Sequence, residues 1–140
     1  MKNILFLLTL ITFIMTQTQA QTTDLQSIEK TINSYFDGMI THNVKSIEKA
    51  FHSTAIMKWN EKGEYMEVNA VQALSDYLNS NDPVKTKTKI VAINFVGDAA
   101  NARLELEYET FYFIDFMHLM NINGEWKIVS KTYTTVPKDF

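Results

Sequence analysis

Apolar residues recur along this chain at two different periods, and the change of period divides it into a helical part and a strand part. Leu25, Ile28, Ile32, Tyr35, Phe36, Met39 and Ile40 follow at steps of three and four. That spacing predicts one apolar stripe on a helix of about four turns, with Thr22-Thr23-Asp24 as its cap. His42-Asn43 interrupts the stripe, and Val44, Ile47, Ala50 and Phe51 predict a shorter second helix capped by Asn43. Ala55 to Asn60, Lys62-Gly63 and Glu64 to Val68 read as strand, turn and strand. Asn69 is a cap for a third helix, with Val71, Leu74, Tyr77 and Leu78 on one face. Asn79 to Pro83 ends it, because the residue before proline is pushed out of helical geometry.

Beyond Pro83 the period falls to two. Val84 to Val96 is rich in β-branched residues, and Gly97-Asp98 is a turn. Ala100, Ala102, Leu104, Leu106 and Tyr108 then alternate with Asn101, Arg103, Glu105, Glu107 and Glu109, as in an antiparallel strand with one wet face. The last two strands, Phe113 to Ile122 and Glu125 to Thr135, flank Asn123-Gly124, a pair suited to the positive φ angles of a type I′ turn. Strict alternation from that turn pairs Asn121 with Trp126, Leu119 with Ile128, Met117 with Ser130 and Asp115 with Thr132. It places Asp115, Met117, Leu119, Trp126, Ile128, Ser130 and Thr132 on a core face, with Trp126 as a large anchor near its closed end. Phe116, His118, Met120, Lys127, Val129, Lys131 and Tyr133 fall on the other face. Helices that precede or interrupt a strand meander make the class α+β.

The first twenty residues carry a different signal. Lys2, the apolar run Ile4 to Met15 and the small residues of Thr18-Gln19-Ala20 predict a signal peptide, residues 1–20, too short to span a bilayer. The mature domain is then residues 21–140, exported to the periplasm or medium, with no stable membrane insertion after cleavage. Its 120 residues suffice for one core, and its 12 basic and 16 acidic residues leave no basic field for nucleic acid. With no cysteine, there is no disulfide frame, thiol nucleophile or thiolate metal site.

The order helix, helix, hairpin, helix, meander resembles the cone-shaped fold of nuclear transport factor 2 and ketosteroid isomerase. The ending NGEWKIVSKTY resembles the last hairpin of the SnoaL-like branch. The opening IEKTINSYFDGMITHNVKSIEKAFHSTA is similar to exported bacterial proteins described as "putative lumazine-binding". The resemblance covers residues 24–135 and implies three helices packed on a curved antiparallel sheet around a conical small-molecule pocket. Tyr35 and Met39 would line it from the first helix, Tyr108, Asp115, Met117 and Trp126 from the sheet, and Trp59 near the mouth. The alternative is a cone filled by its own side chains.

Asp115 among apolar neighbours is the candidate chemical group, as acid, base or ligand anchor, with Tyr35 as a donor. Ketosteroid isomerase uses a second acid beside its tyrosine, and here Asp37 lies about 200° around the helix from Tyr35. Asp115 could instead cap backbone or pair with Thr132 or a lysine. His42, His52 and His118 show no metal spacing, and no cofactor motif is present. Lys85, Lys87 and Lys89 alternate on one strand face, as lysines that protect a sheet edge do. The leading expectation is an exported domain that binds a small, partly apolar molecule. The alternatives are an isomerase, cyclase or hydrolase using Asp115, and a non-catalytic interaction module. Phe116, Met120, Val129 and Tyr133 predict a homodimer through the outer sheet face.

Overall fold

The computed structural model describes the backbone of residues 2–138 and the side chains of residues 22–138. The elements are α1 (Lys2–Thr41), α2 (Val44–Ala50), β1 (Phe51–Glu61), β2 (Glu64–Asn69), α3 (Ala70–Ser80), β3 (Lys87–Val96), β4 (Ala99–Glu107), β5 (Phe111–Ile122) and β6 (Glu125–Pro137). The α+β class is as expected. Three helices cover one face of a six-stranded sheet ordered β2-β1-β6-β5-β4-β3. The sheet is mixed rather than wholly antiparallel, because β1 runs parallel to β6. That pair joins the N-terminal hairpin to the C-terminal meander, so one sheet curls around one core. Among residues 22–138, no helix is long and apolar enough to cross a membrane.

Local chemistry explains most boundaries. Asn43 accepts from the Lys45 amide and Asn69 from the Gln72 amide, capping α2 and α3 as expected. The helix over Thr22-Thr23-Asp24 departs from expectation: it runs through them without a break from Lys2. No proline or glycine occurs before Gly38, so nothing in the sequence stops it. Gly38 allows α1 and α2 to meet, since a β-carbon there would lie 2.6 Å from Ile47 Cδ1. Phe51 leaves the second helix and opens β1, its ring meeting that of Tyr35 edge-on at 5.7 Å. The third strand begins at Lys87 rather than Val84 and forms a sheet edge, where Lys87 and Lys89 are exposed.

The C-terminal hairpin holds the most consequential difference. Asn123 (φ 54°) and Gly124 (φ 88°) form the turn, and Asn121 meets Trp126 and Leu119 meets Ile128 as alternation predicts. Val129 is then an extra residue: His118 pairs with Ser130, Met117 with Lys131, Phe116 with Thr132 and Asp115 with Tyr133. One inserted residue reverses the facing of everything beyond it on that strand. Ser130 and Thr132 therefore turn outward, and Lys131 and Tyr133 turn toward the helices. The strand β5 keeps its expected facing, with Asp115, Met117 and Leu119 buried.

Candidate functional site

The bulge brings a lysine under a buried carboxylate. Asp115 is fully buried on β5, and Lys131, from the adjacent strand, is only 4% exposed. The Lys131 ammonium forms an ion pair with Asp115 Oδ1, which has no other hydrogen-bond partner. Tyr35, on the buried stripe of α1, donates its hydroxyl to Asp115 Oδ2 at 2.7 Å. Lys131 Nζ donates to the Tyr35 hydroxyl oxygen at 3.1 Å. The three groups close a ring in which every charge is met, as burial requires. The Lys131 nitrogen also lies 5.3 Å from the Tyr35 ring centroid and 5.0 Å from that of Tyr133, within cation–π range.

Burial governs the protonation of Lys131 and Tyr35. It pushes the Lys131 ammonium below its ordinary range, against the opposing pull of the Asp115 carboxylate. Burial first, and then the charge and hydrogen bond of Asp115, hold the Tyr35 phenol protonated well above its usual range. Tyr133 is shifted upward by burial and by Glu61 and Asp115. Tyr108 is pushed up to about 12, chiefly by burial.

Beside this cluster lies a cavity of about 120 Å³. Met39 and Tyr35 from α1, Leu74 and Tyr77 from α3, Phe113 and Tyr133 from the sheet, and Lys131 line it, with Met57 and Ala73. Sites for drug-sized ligands are usually about 300–1,000 Å³, so this part of the cone is largely filled and keeps a small chamber. A lysine carries three N–H donors. Two are engaged by Asp115 and Tyr35.

The expected site residues separate into three groups. Tyr35 and Met39 line the chamber; Trp59 does not, and is stacked on Tyr133 with ring centroids 5.9 Å apart. Asp115 meets Tyr35 as expected, but it lies behind Tyr35 and Lys131 and does not itself line the chamber. Tyr108, Met117 and Trp126 are buried and also do not line it. Tyr108 stacks on Phe111 at 4.8 Å, and Trp126 hydrogen-bonds Asp24 at the far end of the sheet. Asp37 accepts from Ser46 at 2.6 Å, away from the cluster. Among the described residues, no three His, Asp or Glu side chains converge to hold a metal ion.

Alternation missed Lys131 and Tyr133. The signal that was present is chemical: a carboxylate on a core face demands a cation, and Lys131 is the lysine nearest to it across the hairpin.

The fold has counterparts. The family described as "Putative lumazine-binding" matches residues 23–134. No curated protein matches the chain. Among solved structures, an NTF2-like protein of unknown function from Shewanella baltica is 27% identical, with a TM-score of 0.77 over 84% of this chain and 97% of that one. Another, from Methylobacillus flagellatus, is 28% identical, with a TM-score of 0.73 over 81% and 92%. A ketosteroid isomerase-like protein from Erwinia carotovora atroseptica shares the fold at 12% identity, with a TM-score of 0.66 over 80% and 95%.

Proposed function

This chain belongs to the "putative lumazine-binding" family of the NTF2-like superfamily, and from that premise we propose that its cone binds a small, partly apolar molecule. The carrying observation is the chamber itself, an apolar pocket with Lys131 as the one charged residue in its lining. Such a pocket suits a flat or short molecule whose one polar edge accepts a hydrogen bond. Met39 and Met57 are adaptable side chains that can move to admit a ring system larger than the chamber at rest. Lumazine, the ligand in the family's description, has carbonyl and ring-nitrogen acceptors of the kind required.

Titration with lumazine, followed by calorimetry, tests this directly. The Ala73→Phe variant fills the chamber from α3 and leaves Asp115, Lys131 and Tyr35 unsubstituted. It is expected to weaken binding at least about tenfold, or about 1.4 kcal/mol. Unchanged affinity in that variant would place the ligand elsewhere.

The enzyme reading has less support. Both Asp115 oxygens are occupied, one by Tyr35 and the other by Lys131, which leaves no free carboxylate edge for a substrate.

Association through the outer sheet face keeps its support on a smaller patch. Tyr133 has turned inward and Val129 sits in the bulge, while Phe116 and Met120 remain 47% and 43% exposed on β5. Ile56 on β1, 37% exposed, shares that face. A homodimer joined there should sediment as twice the chain mass at micromolar concentration. The Phe116→Glu variant should sediment as a monomer, and an unchanged dimer would move the interface. Residues 1–20 stand in this reading as an export signal, so the binding domain is residues 21–140, acting in the periplasm or outside the cell.

A further inference from the structure

We propose that Lys131 captures a carbonyl compound: its amine condenses reversibly with an uncharged, short-chain aldehyde in the chamber, giving an iminium held against Asp115. The inference rests on the binding role of the chamber and names the ligand class and the bond.

An ion pair that served stability alone would be best sealed within the core on all sides. Here the lysine lines a chamber otherwise walled by Met39, Met57, Leu74, Phe113 and the tyrosine rings, with its nitrogen on Asp115 and Tyr35 beside it. Asp115 and Tyr35 are the partners that imine chemistry requires at such a nitrogen: a base to take its proton and a donor to supply one to the carbonyl oxygen. Tyr35 links both, since it donates to Asp115 at 2.7 Å and accepts from Lys131 at 3.1 Å.

The steps balance. Lys131 passes one ammonium proton to Asp115, leaving a neutral amine and a carboxylic acid. The nitrogen lone pair forms a bond to the carbonyl carbon, and the carbon–oxygen π pair moves to oxygen. That oxygen takes the Tyr35 proton, and Asp115 returns a proton to Tyr35. Asp115 then takes the second proton from nitrogen, which yields a neutral carbinolamine. Proton transfer from Asp115 through Tyr35 to its hydroxyl releases water as the nitrogen lone pair closes the C=N bond. The sum is ammonium plus aldehyde giving iminium plus one water. One positive charge remains on nitrogen throughout the net change, so the pair with Asp115 and the contacts with the Tyr35 and Tyr133 rings persist. Burial pushes the Lys131 ammonium below its ordinary range, against the pull of the Asp115 charge, and so eases release of its proton.

The walls select the aldehyde. Lys131 is the one charged residue lining the chamber, and Asp115 already neutralises it. A ligand carboxylate would find no second cation, so an oxo acid is disfavoured. A volume of about 120 Å³ equals about four waters at ~30 Å³ each, which suits roughly four to six carbons.

The test uses the full chain and butanal at neutral pH. Borohydride reduces any C=N bond to a stable secondary amine, and peptide mass mapping locates the butyl group. At one equivalent of aldehyde, Lys131 is expected to carry at least about tenfold more label than the exposed Lys85 and Lys87. The Lys131→Arg variant keeps a cation beside Asp115 and should lose that label. Label distributed over surface lysines, with Lys131 unmodified, would overturn the proposal. Thermal melting with butanal and with lumazine, without borohydride, separates the two readings. An unlabelled Lys131 with either ligand raising Tm would refute the imine and keep the binding chamber. No label and no shift would refute both.

Discussion

Replacing Lys131 with methionine is expected to destabilise the fold by about 3–5 kcal/mol, because it strands the Asp115 carboxylate in the core. Asp115 is fully buried, and without the ammonium only Tyr35 would remain bonded to it. The carboxylate would have to take a proton or draw in water, and both options cost free energy. The converse change, Asp115→Asn, should be milder at about 1–3 kcal/mol. An amide oxygen can still accept from Tyr35 or Lys131, but it no longer neutralises the ammonium. Changing both together, Asp115→Leu with Lys131→Met, removes the two charges and leaves no orphan, and should recover most of the loss. Urea unfolding of the parent, both single variants and the double variant supplies the comparison. A double variant no more stable than the sum of its parts predicts would show that the pair does not interact. A Lys131→Met protein within about 1 kcal/mol of the parent would show that Asp115 finds another partner.

The same pair marks where sequence reasoning stops. Periodicity located the helices and strands because their apolar faces are continuous: Ile28, Ile32, Tyr35 and Met39 on α1, and Ala100, Ala102, Leu104 and Leu106 on β4, are all buried. The turn at Asn123-Gly124 fixed the first pairs of the hairpin, since few residues accept positive φ at both positions. The joining of Tyr35 to Asp115 was also legible, each lying on the core face of its own element. The bulge at Val129 was not. It carries neither glycine nor proline, and its cause is tertiary. β6 must serve β5 on one side and β1 on the other, with Ile128 beside Phe51 and Ser130 beside Ile56. The β1–β6 ladder skips residues at the same level, so the two irregularities accommodate one another. No pattern within either strand records that fit. A chamber of this size was likewise beyond the sequence, because it is the small remainder left when large side chains fill a cone.

The far end of the hairpin should show an effect of similar size from a different cause. Trp126→Ala is expected to cost about 3–5 kcal/mol, through lost burial and a residual cavity. Trp126 is only 4% exposed, and it ties the sheet to α1 in two ways. Its indole N–H donates to Asp24 Oδ1 at 3.2 Å, and its backbone carbonyl accepts from the Thr31 hydroxyl at 2.8 Å. Asp24, expected as a helix cap, is thus a clasp for the tryptophan, and it lies within the chain that cleavage after Ala20 would leave. Domains of this length are stable by about 5–15 kcal/mol in all, so the alanine variant should melt roughly 10–20 °C lower. Trp126→Phe divides the effect: it keeps most of the buried ring and deletes only the N–H, and should cost about 1 kcal/mol. Trp126 and Tyr133 are separated by roughly 20 Å along β6, so Trp126→Phe should leave lumazine affinity at the chamber unchanged. Differential scanning calorimetry and binding titrations on the two variants provide the readout. An alanine variant with the parent's melting temperature would show that the indole does not hold α1 to the sheet. A phenylalanine variant that melts normally yet loses the ligand would make Trp126 part of the binding site after all.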